Sequence, residues 1–118
     1  MITVFYYEMS TLGSSSDSNL RFFLTRDQGE RAYKLISDYL SSLPDAEILV
    51  LDFPGHQLMD ASFADELLIQ LMEHINRGEF GRRTIAVKGL TADTELNIRA
   101  VIELRRLQEK IAILMIDG

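Results

Sequence analysis

The chain has no cysteine. That removes disulfides, thiolate nucleophiles and thiolate-ligated metals, and it fits a reducing compartment. Only two histidines are present, His56 and His74. Glu73-His74 lacks the second ligand of a His-Glu-x-x-His zinc motif, so both are read as surface or boundary residues. No glycine-rich phosphate loop occurs, of either the Walker or the dinucleotide pattern. Basic charge is scarce as well: 12 Lys and Arg stand against 18 Asp and Glu, a net charge of -6. A nonspecific nucleic-acid binder needs the opposite balance to displace counterions from phosphates. No apolar run approaches the ~20 residues that span a bilayer. Met1–Glu8 lacks the basic n-region of a signal peptide. A cytoplasmic protein is expected, with no nucleic-acid or membrane partner.

What remains is the profile of one folded domain. The chain has 118 residues, 47% hydrophobic and 25% charged, enough for a core that needs no staple. Ile2–Met9 is β-branched and aromatic and reads as a strand. Alternation puts Phe5 and Tyr7 on one face and Tyr6 on the other, where an open sheet face would suit a partner or a homodimer. Ser10–Asn19 is a polar loop, and Leu20–Leu24 a second strand in a loose hairpin with the first. Thr25 and Gln28 form a capping-box pattern at the head of a helix. Ala32, Leu35, Ile36, Tyr39, Leu40 and Leu43 supply its stripe, and Pro44 ends it.

Ile48–Phe53 is apolar on both alternating faces apart from Asp52, the pattern of a central strand covered on two sides. Pro54 and Gly55 mark a turn. Ser62 is expected to cap the next helix, whose stripe is Phe63, Leu67, Leu68, Leu71 and Ile75, with Gly78 as its stop. Thr84–Val87 is a further strand. A third helix follows, capped by Thr91 or Asp93, with Leu96, Ala100, Val101, Leu104 and Leu107 facing inward. Arg99, Arg105, Arg106 and Lys110 complement its carboxyl end. Ile111–Ile116 completes the order β-β-α-β-α-β-α-β. This predicts an α/β fold, a single domain over 1–118, with a mixed, largely parallel sheet and helices packed mainly on one face.

Val50-Leu-Asp-Phe53, followed by Leu58-Met-Asp-Ala-Ser-Phe-Ala-Asp-Glu-Leu67, resembles STAS domains (sulphate-transporter and anti-sigma-factor-antagonist domains). The likeness is to the STAS-like bacterial family marked by Ser-Phe-Ala-Asp-Glu-Leu. Leu24-Thr25-Arg26 and Asn97-Ile98-Arg99 support it, and it spans Leu20 to Leu104. The resemblance implies a small non-enzymatic module that needs no cofactor. Such a module binds a protein partner, a histidine-kinase-like ATPase of the switch type, through the loop before the second helix. Carried onto this chain, the partner surface is His56, Asp60, Ala61, Ser62, Phe63, Asp65 and Glu66. In antagonists of this kind the acidic residue is followed by the phosphate-accepting hydroxyl. Here Asp60 is followed by Ala61, which has none; Ser62 is the candidate phosphoacceptor that remains, and it can substitute only if the kinase tolerates a one-residue shift, about 100° around a helix. Asp65 and Glu66 are adjacent, point about 100° apart and make no natural acid–base pair. Arg82, Arg83 and Arg99 suggest a second reading, an anion-binding small-ligand or nucleotide sensor.

Overall fold

The computed structural model describes residues 4–15, 21–55, 57–104 and 114–116. Strand β1 (Val4–Glu8) leads through a 3-10 turn (Met9–Leu12) into the short β2 (Ser14–Ser15). Strand β3 (Arg21–Phe23) precedes α1 (Arg26–Ser42). Strand β4 (Ile48–Asp52) and the short β5 (Gln57–Met59) precede a helix in three parts. This helix, α2, is α-helical over Ala61–Ala64, π-helical over Asp65–Ile69 and α-helical again over Gln70–Asn76. Strand β6 (Thr84–Lys88), helix α3 (Ala92–Leu104) and strand β7 (Leu114–Ile116) follow.

The main sheet runs β1-β4-β6-β7 with every pair parallel. Each crossover steps to the adjacent strand in the same direction. Right-handed connections then put α1, α2 and α3 on one face, and α1 and α3 both pack on α2. The fold is thus α/β, with the helices where the sequence predicts them. Val50 and Leu51 of the central β4 are both fully buried although they face opposite sides, as its two-sided apolar pattern requires. On the helix side Leu49, Leu51, Ile85 and Val87 join Ile36, Leu40, Phe63, Leu67, Leu68 and Leu71 in one core. Tyr7 packs edge-on against Tyr39 of α1, at 5.4 Å between centroids. On the other side Tyr6 is 59% exposed, with the Lys88 ammonium 6.0 Å from its ring centre.

Two expectations need correction. First, β1 and the strand after it form no hairpin: β1 pairs parallel with β4, and β3 pairs with β2 and β5. The result is a separate three-stranded sheet rather than one mixed sheet. Beside β4, β1 can turn Phe5 and Tyr7 toward the helices, whereas Phe23 of β3 plugs the carboxyl end of the main sheet. There it stacks edge-on against Phe53 and Phe63, at 5.2 and 5.4 Å. Second, the inward face of α3 is Thr94 and Ile98, with Val101 and Ile102 half-buried, while Leu96 and Ala100 point to solvent. The expected strand Ile111–Ile116 is described only at Leu114–Ile116. Leu107, Arg105, Arg106 and Lys110 lie outside the described residues.

Candidate functional site

The site grows from one side chain. Asp60 has extended backbone (φ −87°, ψ 166°) and ends the short sheet, its N–H donating to the Phe23 carbonyl at 3.1 Å. Its carboxylate then serves two helices at once. Oδ1 accepts the Phe63 N–H at 2.8 Å, which caps α2, and Oδ2 accepts the Thr25 N–H at 2.9 Å, at the head of α1. Four backbone N–H groups at each helix start lack intrahelical partners, so a carboxylate between two such starts meets favourable donors and two positive dipole ends. The cap of α2 is therefore Asp60 rather than Ser62. The helix begins two residues earlier than a Ser62 cap would place it, and Ser62 is its second residue.

Thr25 caps α1 as expected, its hydroxyl accepting the Gln28 N–H at 3.3 Å. The reciprocal bond of a capping box is displaced by one residue. Gln28 Oε1 accepts from the Leu24 N–H at 2.9 Å, and the amide donates back to the Leu12 carbonyl at 3.1 Å. Thr25 sits at φ 75°, ψ 151°, a region nearly confined to glycine that costs a β-branched residue on the order of 1–3 kcal/mol. The Asp60 bond and the cap hold it there.

Arg26 spans the two helices. Its guanidinium bonds Glu66 and lies 3.4 Å from Asp65. These contacts, Glu66 foremost, raise its pKa above the ordinary arginine value. The helices approach closely because α1 has Gly29 here: a Cβ would lie 2.8 Å from the Glu66 Cβ and 3.0 Å from the Phe63 carbonyl oxygen. Asp65, buried, opens the π stretch, and such single-turn π segments concentrate at functional sites.

The exposed part of this junction is small and mixed. Leu58 on β5 is 52% exposed. Ala61 is exposed, and Asp60, Ser62 and Glu66 are half-buried. Strand β5 forms one end of its sheet, beyond β3. Gln57 anchors the strand from beneath. Its amide donates to the Pro54 and Gly89 carbonyls, and its Oε1 accepts the Thr91 N–H at 2.7 Å. Around the corner, Phe22, Leu24, Thr25, Asp27, Gln28 and Arg31 line a shallow open depression.

The sequence-predicted residues therefore separate into groups. Asp60, Ala61, Ser62, Asp65 and Glu66 come together at the junction. Phe63 is wholly buried and supports it from within. His56 lies outside the described residues. The three arginines do not converge. Arg82 bonds Asp45 through both its backbone N–H and its Nε, each at 2.9 Å, and these bonds hold the Asp45 carboxyl below the usual aspartate range. Arg83 donates to the Leu43 and Phe80 carbonyls at 2.7 and 3.1 Å. Arg99 pairs with Glu95 one turn back on α3 at 2.9 Å. Away from the junction, His74 Nδ1 lies 2.7 Å from Glu79. The Tyr33 ring packs beside His74, and burial, with the Glu79 charge behind it, pushes the Tyr33 hydroxyl above its ordinary pKa. No group of three or more His, Cys, Asp or Glu side chains could hold a metal ion among the described residues. Nor is any helix among them long and apolar enough to cross a membrane.

Sequence reasoning missed Leu58, Gln57 and the double role of Asp60. Alternation within Gln57-Leu58-Met59, just after a turn, is the one local signal that could have placed Leu58 on the outside of a strand. Comparison with protein-family models, curated proteins and solved structures returned no match to this chain.

Proposed function

We propose that this chain is a non-enzymatic, cytoplasmic protein-interaction module of the STAS-like kind. Its partner surface is the strand β5 and the first turn of α2, centred on Leu58, Ala61, Ser62 and Glu66. The observation that carries this reading is Leu58, a large apolar side chain 52% exposed. It stands on a terminal strand whose far end is fixed by Asp60 to two helices. An exposed apolar anchor on a braced support, rimmed by polar groups, is the anatomy of a protein-binding hot spot. The resemblance carried by Leu58–Leu67 supplies the partner class, a histidine-kinase-like ATPase.

Leu58→Glu tests the reading directly, because the side chain contributes little to the core. Immobilised wild type retains such an ATPase from cells that encode this chain; Leu58→Glu loses it, and Arg82→Ala keeps it. Equal retention by wild type and Leu58→Glu would overturn the assignment.

A second reading, phosphorylation of Ser62, gains from the cap assignment. The Asp60 carboxylate already does the capping expected of Ser62, and phosphate at the second position of a helix meets the positive dipole end. Asp60, Asp65 and Glu66 oppose it with like charge. Incubation with the kinase partner and ATP, followed by mass mapping, decides it: phosphate absent from Ser62 but present in Ala61→Ser would end this reading.

A further inference from the structure

Within its helices and at their ends, the described chain sets an acid four residues before an arginine at Glu73–Arg77, Glu95–Arg99 and Asp27–Arg31, the orientation that favours pairing. The first two are ion-paired, at 3.9 and 2.9 Å. Asp27 and Arg31, in the first turns of α1, are not: among the described residues neither side chain has an ionic or hydrogen-bonding partner. An aspartate is one methylene shorter than a glutamate and reaches less far toward the next turn. The two positions lie about 40° apart around the helix and about 6 Å apart along it. Both are exposed and both line the open depression at the head of α1. Its volume of about 610 Å³ falls in the range of small-ligand sites. Its apolar lining is Phe22 and Leu24, each half-buried. Gln28 also borders it, but its carboxamide is committed to the Leu24 N–H and the Leu12 carbonyl. The charges of Asp27 and Arg31 are what this depression offers a polar ligand.

We infer that this depression binds a free α-amino acid with an apolar side chain. The charges select the class. A ligand of one sign would satisfy one of the two side chains and be repelled by the other. A zwitterion satisfies both, and an α-amino acid carries its two charges on groups joined to a single carbon. Its ammonium goes to Asp27 and its carboxylate to Arg31, whose planar fork suits a carboxylate. The side chain then lies on Phe22 and Leu24, where an aromatic ring meets Phe22 in the edge-on or offset geometry such pairs prefer. Arg31 thus takes the part that the sequence assigned to Arg82, Arg83 and Arg99, which are spent on bonds within the fold. An open, water-screened site holds such a ligand weakly, in the millimolar range, as suits a sensor of an abundant metabolite. The inference stands apart from the β5–α2 surface and does not rest on it.

The test is an amide NMR titration of the whole chain with L-phenylalanine and L-leucine, carried to ~20 mM to cover weak binding. Saturable shifts are expected at Phe22, Leu24 and Thr25 to Arg31, and glycine should give none. L-phenylalanine amide lacks the carboxylate and N-acetyl-L-phenylalanine lacks the ammonium. Each should bind about five-fold more weakly than the free amino acid, the loss of one exposed charge contact. Arg31→Met should weaken L-phenylalanine by a similar factor and leave the amide unchanged. Asp27→Asn should do the same for the free amino acid and leave the N-acetyl derivative unchanged. Both side chains are exposed, so the spectra of the free variants should differ from wild type only near the substitution. No saturable shift with either amino acid, or shifts that map elsewhere, would overturn the inference. So would an N-acetyl derivative that binds as tightly as the free amino acid, which would mark a site for a peptide carboxyl end. An amide that binds equally well would mark a site for a peptide amino end, with the same consequence. Unchanged affinity in Arg31→Met would remove the proposed carboxylate contact and the inference with it.

Discussion

Replacing Asp60 by alanine removes two interactions with one substitution, and their sum can be worked from the geometry. The bond to the Phe63 N–H, at 2.8 Å, is an N-cap, and its loss costs about 1 kcal/mol. The bond to the Thr25 N–H, at 2.9 Å, has a charged acceptor; near the surface it is worth about 1 kcal/mol more. The expected loss is about 2 kcal/mol, or roughly 8 °C in Tm for a domain of this size. An asparagine side chain has a single acceptor oxygen and can keep only one of the two bonds, so Asp60→Asn should fall midway. Ser62→Ala is the decisive control. If Asp60 is the cap, this variant stays within about 0.5 kcal/mol of wild type. Urea denaturation followed by far-UV circular dichroism measures all three. A Ser62→Ala variant that lost as much as Asp60→Ala would return the cap to Ser62 and refute the double role of Asp60.

Other perturbations address other parts of the molecule. Thr25→Gly releases the strain at φ 75°, while exchange of an N-cap Thr for Gly costs only a few tenths of a kcal/mol, so the variant should be about 1 kcal/mol more stable in the same urea assay. Gly89→Ala should destabilise by roughly 3 kcal/mol or more or abolish folding, because at φ 85° the new Cβ would collide with the Phe53 carbonyl oxygen; ordinary soluble expression with an unchanged melt would contradict that close approach. Gln57→Glu replaces an amide that donates to two carbonyls by a carboxylate that cannot, and should lower stability at neutral pH by about 2–4 kcal/mol, with partial recovery on acidification. Tyr33, its pKa raised in the fold chiefly by burial, favours the native state below the ordinary tyrosine value near 10. That contribution disappears as pH climbs through the raised value, so ultraviolet titration should show a late-ionising tyrosine that Tyr33→Phe removes.

Much of this arrangement is legible in the residues, and the failures share a cause. Periodicity finds α1, β4, α2 and β6, because each buries a stripe or a face whose partners lie along the same segment. Thr25 reads correctly as a cap, since a hydroxyl and an N–H three residues apart are a local event. Asp60 escapes as a cap because its second partner, Thr25, is 35 residues away, and because Ser62 fits the same local rule. The pairing of β1 with β4 rather than β3 is likewise long-range; an apolar strand does not announce its neighbour. On α3 the sequence offers Leu96 and Ala100 on one side and Ile98 and Ile102 on the other. Hydrophobicity alone cannot rank two apolar faces, and the face it suggested is the exposed one. At the site, Asp60, Ala61, Ser62, Asp65 and Glu66 stand within one short stretch of chain, so their nearness is legible in the sequence. The packing of Arg26 and Gly29 against that stretch becomes visible only once α1 lies alongside.

The order of strands in the main sheet, β1-β4-β6-β7, is also their order in the chain. Such a sheet grows only at its newest edge. No strand has to be threaded between two already joined, and each helix is made before the strand that locks it down. A chain emerging amino end first from the ribosome can therefore lay down this fold by accretion, one unit at a time, each new strand meeting a finished template. The small sheet is the exception: β3 must wait for β5, which is not synthesised until α1 and β4 are complete. The junction at Asp60 consequently closes only after the framework around it has begun to stand.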